Sequence, residues 1–170
     1  WHSVTGVQTC ALPISHVVAG PPALHLHAEI VPAKTVGGDL YAYFTLPDGR
    51  LCFAVGDVSD KGVPAALFMA RTITLLKTIG REAQAPDEIL RRVNAELYPD
   101  NDECMFVTLF CGIIDPATGR ITAASAGHEP PIVVSADGQC CLNEIPSGSA
   151  LGLERNVDLP VTTYTLAPGE

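Results

Sequence analysis

Two short stretches carry the residues most able to do chemistry: "VGGD", ending at Asp39, and "VGDVSDKG", which holds Asp57, Asp60 and Lys61. In each, glycine precedes an aspartate at the end of an apolar run, where backbone can crowd a carboxylate without a Cβ in the way. Carboxylate oxygens converging at strand ends suit a hard divalent cation such as Mg²⁺ or Mn²⁺, which takes a few protein oxygens and keeps several waters. The same spacing also suits solvated aspartates that cap a turn, and the two readings stay open at this point. His128 in "AGHEPP" has the side chain of a general acid or a ligand. Gly127 before it and Pro130-Pro131 after it read instead as a turn that holds strand ends, with site support a possible second role.

The elements that would position these groups follow from periodicity. Leu24 to Val31 alternates apolar and polar residues, the pattern of a half-buried strand. Asp39–Phe44 and Leu51–Val55 flank "LPDGR", whose Asp48-Gly49 signals a hairpin. Antiparallel pairing then brings Asp39 and Asp57 to the same end of a sheet. Pro64 opens a helix with an apolar stripe of Leu67, Phe68, Ile73, Leu75, Leu76 and Ile79, with Gly80 as its stop. A second helix starts at Pro86, with Asp87 and Glu88 at the positive end of its dipole. Strands return at Met105–Ile114, Ile121–Ser125, Ile132–Val134 and Val161–Leu166. Strands, a helical pair and strands again indicate α+β, with a mainly antiparallel sheet and the helices over one face.

Composition bounds the partners. With 47% hydrophobic and 17% charged residues, the 170-residue chain suits one globular domain. A net charge of −9 without any run of Lys and Arg argues against a nucleic-acid surface, and no apolar stretch approaches the ~20 residues of a membrane span. The six cysteines have no zinc-site spacing, which fits a reduced cytoplasmic setting, and Cys52 and Cys111 read as small buried hydrophobes. Residues 4–14, "VTGVQTCALPI", show no periodicity, and a back-translation of them resembles a short-read sequencing adapter. Residues 1–15 are therefore expected to be a non-native scar, and 16–170 a partial domain.

Five ordered motifs, "PAKTVGGDLYAYF", "GDVSDKGVPAALFMA", "MFVTLFCGIID", "SAGHEPP" and "GSALGL", resemble the bacterial PPM-type serine/threonine phosphatases of the sporulation-protein-E and stress-response-regulator branch. The resemblance covers Leu24 to Glu170. It implies an antiparallel β-sandwich flanked by helical hairpins, with two Mn²⁺ or Mg²⁺ ions at one end. On that basis Asp57 is the metal-bridging aspartate, the Val58 carbonyl is a neighbouring ligand and Asp39 stands near the metal waters. It further implies hydrolysis of phosphoserine or phosphothreonine on a partner protein, of the type of an anti-sigma-factor antagonist. Two departures stand out: Ala42 occupies a place where the motif has a second aspartate, and Asp60 one where glycine is frequent. The family's remaining metal aspartates fall beyond Glu170, so the domain is expected to be C-terminally incomplete and inactive alone. The alternative is a non-catalytic, phosphatase-like binding module in a signalling partner switch, with Ala42 as its support.

Overall fold

The computed structural model describes residues 24–30, 37–99 and 101–170, together with the backbone course of Ile14–Val18. Among these residues the chain forms ten strands and two helices. The principal sheet contains β3 (Asp39–Thr45), β4 (Leu51–Val58), β5 (Val107–Ile114), β6 (Arg120–Ala126), β9 (Ser147–Gly148) and β10 (Val161–Thr165). Its order is β10-β6-β5-β4-β3, antiparallel throughout, except that β9 adds to β6 in parallel. Two small antiparallel sheets accompany it: β1 (Ile14–Val18) with β2 (Leu24–Ala28), and β7 (Ile132–Val134) with β8 (Cys140–Leu142).

Side-chain alternation divides the principal sheet into two faces. On one, Leu40, Ala42, Cys52, Ala54, Val58, Leu109, Cys111 and Ile113 pack under the helical hairpin α1 (Val63–Ile79) and α2 (Pro86–Leu97). Phe68, Leu76, Ile89, Leu90, Val93 and Leu97 face them from the helices. On the other face Phe110, Ile114, Ile121 and Ala123 form a second cluster, against which Leu24 and Leu26 of β2 and Tyr164 of β10 pack. The α+β class, the antiparallel sheet and the hairpin over one face agree with the reading from periodicity. One helical hairpin is found among the described residues, and on the second face Leu24 and Leu26 of β2 cover part of the cluster.

Several expectations change in detail. Leu67 belongs to the apolar pattern of α1 but is 67% exposed, because α1 touches the sheet and α2 along the line of Ala65, Phe68, Thr72, Leu76 and Ile79. Gly80 does end α1, yet with a right-handed backbone (φ −64°). Its glycine is needed because a Cβ would overlap the Phe44 ring. Strand β2 stops at Ala28, short of the expected Val31, which lies outside the described residues. Residues 1–13 of the expected scar also lie outside them, while Ile14 and Ser15 begin β1, opposite Ala28 and His27. Cys52 and Cys111 are fully buried with their sulfurs 3.8 Å apart, and this contact together with burial holds the Cys111 thiol far above its usual pKa, hence protonated and inert.

The helix-facing layer carries the stability. Leu109 is fully buried at the centre of the sheet, so Leu109→Ala is expected to cost about 2–5 kcal/mol in urea unfolding. Leu67→Ala, on the exposed side of α1, is expected to stay within about 0.5 kcal/mol. Equal costs would contradict the packing described.

Candidate functional site

The five-residue connection between β3 and β4 is closed by Leu46 N–H donating to the Arg50 carbonyl (2.8 Å) and Gly49 N–H to the Leu46 carbonyl (3.0 Å). From that turn the register runs Thr45 opposite Leu51 through to Asp39 directly opposite Asp57. Leu40 and Ala42, like Ala54 and Val58, point to the helices, so alternation puts both aspartates on the opposite face. Thr108 of β5 is the cross-strand neighbour of Asp57 on its other side.

The two strand ends are pressed together at Gly38. Its carbonyl accepts the Val58 N–H (3.1 Å), and a Cβ at this position would stand 2.5 Å from the Val58 carbonyl oxygen and 2.9 Å from Asp57 Oδ1. Only glycine permits this approach. The result is a cleft of about 660 Å³ whose wall includes Gly38, Asp39, Asp57, Val58, Asp60 and Lys61. Asp60 reaches the rim through a left-handed backbone (φ 68°), and both Asp60 and Lys61 are exposed. Asp39 also lines a neighbouring cleft of about 550 Å³ that includes Glu29, Tyr41 and His128.

His128 therefore joins the group from the side. Its Nδ1 lies 3.0 Å from Thr108 Oγ1, and Thr108 in turn donates to the Asp57 carbonyl (3.3 Å). The turn that presents it is tied down: buried Ser125 donates to the His128 carbonyl (3.1 Å), Ser147 donates to Ser125 Oγ (3.0 Å), and Gly127 N–H donates to Ser147 Oγ (2.8 Å). These bonds hold the turn at His128 and set its ring beside Thr108, the neighbour of Asp57. Thr108 was missed in the sequence because its place beside Asp57 is set by the pairing of β4 with β5, some fifty residues apart in the chain.

Charge is frustrated here. Asp57 is exposed at its tip, but the surrounding protein, and after it the like charge of Asp39, raise its carboxyl above the usual aspartate range, with His128 and Lys61 opposing. Burial lowers His128 below the ordinary imidazole value, against the pull of Asp57, Glu129 and Asp39. The donor set of two carboxylates and the adjacent Val58 carbonyl is all hard oxygen, the place a Gly38 Cβ would fill lies against Asp57 Oδ1 and the Val58 carbonyl oxygen, and Asp39 lines the same cleft, so these residues fit Mg²⁺ or Mn²⁺. Among the described residues no group of three or more His, Cys, Asp or Glu side chains is placed to enclose an ion.

A raised aspartate pKa means the folded state favours the protonated form; its stabilising contribution is present at low pH and is lost as pH rises from the unfolded value through the folded one. At neutral pH without metal, Asp57→Asn is therefore expected to melt at or above the wild-type temperature by calorimetry. A clear drop would contradict the frustration described.

Comparison with known proteins follows the same region. Residues 47–170 match the family described as Stage II sporulation protein E (SpoIIE). The chain is 31% identical to Phosphoserine phosphatase RsbU of Bacillus subtilis, across 87% of this chain and 44% of that protein. It is also 31% identical to Protein IcfG of Synechocystis sp., across 85% of this chain and 27% of that protein. Its fold superimposes on the crystal structure of the RsbU and RsbW domains of Rv1364c from Mycobacterium tuberculosis with a TM-score of 0.70 and 29% identity, covering 82% of this chain and 38% of that one. The chain spans less than half the length of each.

Proposed function

The chain belongs to the Stage II sporulation protein E (SpoIIE) family, and on that premise we propose that it is part of a metal-dependent protein serine/threonine phosphatase whose catalytic cleft is built on Asp39 and Asp57. The observation that carries this reading is the direct opposition of Asp39 and Asp57 across β3 and β4, with Gly38 where a Cβ would stand against Asp57 Oδ1 and the Val58 carbonyl oxygen.

Divalent ions held at such a cleft would supply Lewis acidity toward the phosphoryl oxygens and acidify a bound water. The residues of this chain supply the setting for that chemistry. Asp57 and the Val58 carbonyl offer ligand oxygens, and Asp39 offers hydrogen-bond acceptors to waters at the same strand end. Lys61 at the rim offsets part of the negative charge that a phosphate ester would otherwise meet. Thr108 and His128 brace the cleft from the β5 side. No protein nucleophile is required, and positioning with electrostatics carries the rate. Two carboxylates make only part of a two-ion centre, so full activity requires further acidic ligands.

The substrate is phosphoserine or phosphothreonine on a partner protein. The name of RsbU, a phosphoserine phosphatase, supports the phosphoserine class. The phosphorylated antagonist of an anti-sigma factor, in the cytoplasm, is the partner that the family resemblance implies. The alternative of a non-catalytic binding module rested on Ala42. Ala42 is 4% exposed and packs toward the helices, on the face opposite Asp39 and Asp57, so its small side chain removes nothing from the cleft.

In the longest form of the protein encoded by its gene, Mn²⁺-dependent hydrolysis of a phosphoserine peptide is expected. Asp57→Asn should lower kcat by about a hundredfold or more, the scale of losing a direct electrostatic stabiliser, with an unchanged circular-dichroism spectrum. Undiminished turnover by the folded variant would overturn the assignment. Binding of a phosphorylated partner without turnover by the wild type would favour the module.

A further inference from the structure

Strand β4 ends in an unusual manner beside the cleft. The pairing of Val58 with Val107 places Ser59 opposite Phe106, and Ser59 N–H donates to the Phe106 carbonyl (2.8 Å). In a continuing antiparallel ladder the Phe106 N–H would return the bond to the Ser59 carbonyl. Here it donates instead to Ser59 Oγ (2.9 Å). The hydroxyl stands in for the residue's own carbonyl, so the ladder closes without an orphaned N–H, and the main chain is released to turn through Asp60 at φ 68°.

The partner strand is anchored on both sides of Phe106. Asn101 grips Met105 twice, accepting from its N–H (3.0 Å) and donating to its carbonyl (2.7 Å), and also donates to the Gly152 carbonyl (3.0 Å). Val107 and Leu151 exchange backbone hydrogen bonds of 3.0 and 2.9 Å. Gly152 N–H donates in turn to Oδ1 of buried Asn94 on α2 (2.8 Å), whose amide nitrogen donates to the Glu154 and Arg155 carbonyls. Phe106 is thus a fixed post, and Ser59 is the link by which that post holds the end of β4.

We propose that Ser59 is a positioning residue for the cleft: by taking the Phe106 N–H on its hydroxyl it fixes the Asp57–Val58 strand end and directs Asp60 and Lys61 to the rim. The catalytic consequence rests on the phosphatase reading above, whereas the clamp itself does not.

The test compares wild type, Ser59→Ala and Ser59→Thr in the longest form encoded by the gene. Its readouts are amide hydrogen exchange at Asp57, Val58 and Phe106, Mn²⁺ binding by calorimetry, and kcat and KM on a phosphoserine peptide. Ser59→Ala is expected to speed exchange at all three amides, weaken Mn²⁺ binding by about 10–100-fold and lower kcat more than it raises KM. Ser59→Thr, which keeps the hydroxyl, should restore each of them. Faster Phe106 exchange in Ser59→Ala with wild-type Mn²⁺ affinity and kcat would overturn the proposal while leaving the phosphatase reading intact. If the wild type neither binds Mn²⁺ nor turns over, the phosphatase reading fails, and exchange alone decides: Asp57 and Val58 amides that stay protected in Ser59→Ala would overturn the clamp as well.

Discussion

Two carboxylates facing each other across neighbouring strands repel, and the structure around Asp39 and Asp57 is organised by that repulsion. A backbone hydrogen bond from Val58 offsets a small part of it. Burial adds to it at Asp57, and Lys61, with His128 when protonated, counters it only in part. Positive charge at that strand end would relieve it, so a feature unfavourable for the bare fold would favour a fold that holds a cation there. Stability lost at the strand end must come from elsewhere in the domain.

It comes from the opposite face of the same strands. Because side chains alternate, the residues flanking the aspartates, Leu40 and Val58, point into the helix-covered core while the aspartates point away from it. One sheet thereby separates two tasks. The layer beneath α1 and α2 is apolar and supplies the burial; the polar strand end on the other face carries the charge. Asn94, Asn101 and Ser59 join the two layers, linking α2 to the end of β4 through groups whose hydrogen-bonding capacity is used on backbone.

Much of this was legible in the sequence because it is local. The Asp48-Gly49 turn sets the register of β3 with β4, and counting outward from it places Asp39 against Asp57. The helix starts marked by Pro64, in the first turn of α1, and by Pro86 likewise follow from short-range rules. What escaped the sequence depends on distant pairing: Thr108 beside Asp57, the grip of Phe106 on Ser59, and the ring of Phe44 that makes Gly80 necessary. Leu67 fitted the apolar period of α1, yet a helix that packs along a narrow line leaves some apolar positions outside.

The claim on which the rest turns is that Asp39 and Asp57 serve the same metal site, Asp57 as a ligand and Asp39 through the waters at the same strand end. Its most direct test is a Mn²⁺ titration of protein labelled with ¹³C at its aspartate carboxyls, followed by NMR. The account requires the Asp39 and Asp57 signals to broaden first and together, ahead of Asp48, Asp115 and Asp137. Uniform broadening across the aspartates, or broadening of one of the pair without the other, would contradict it.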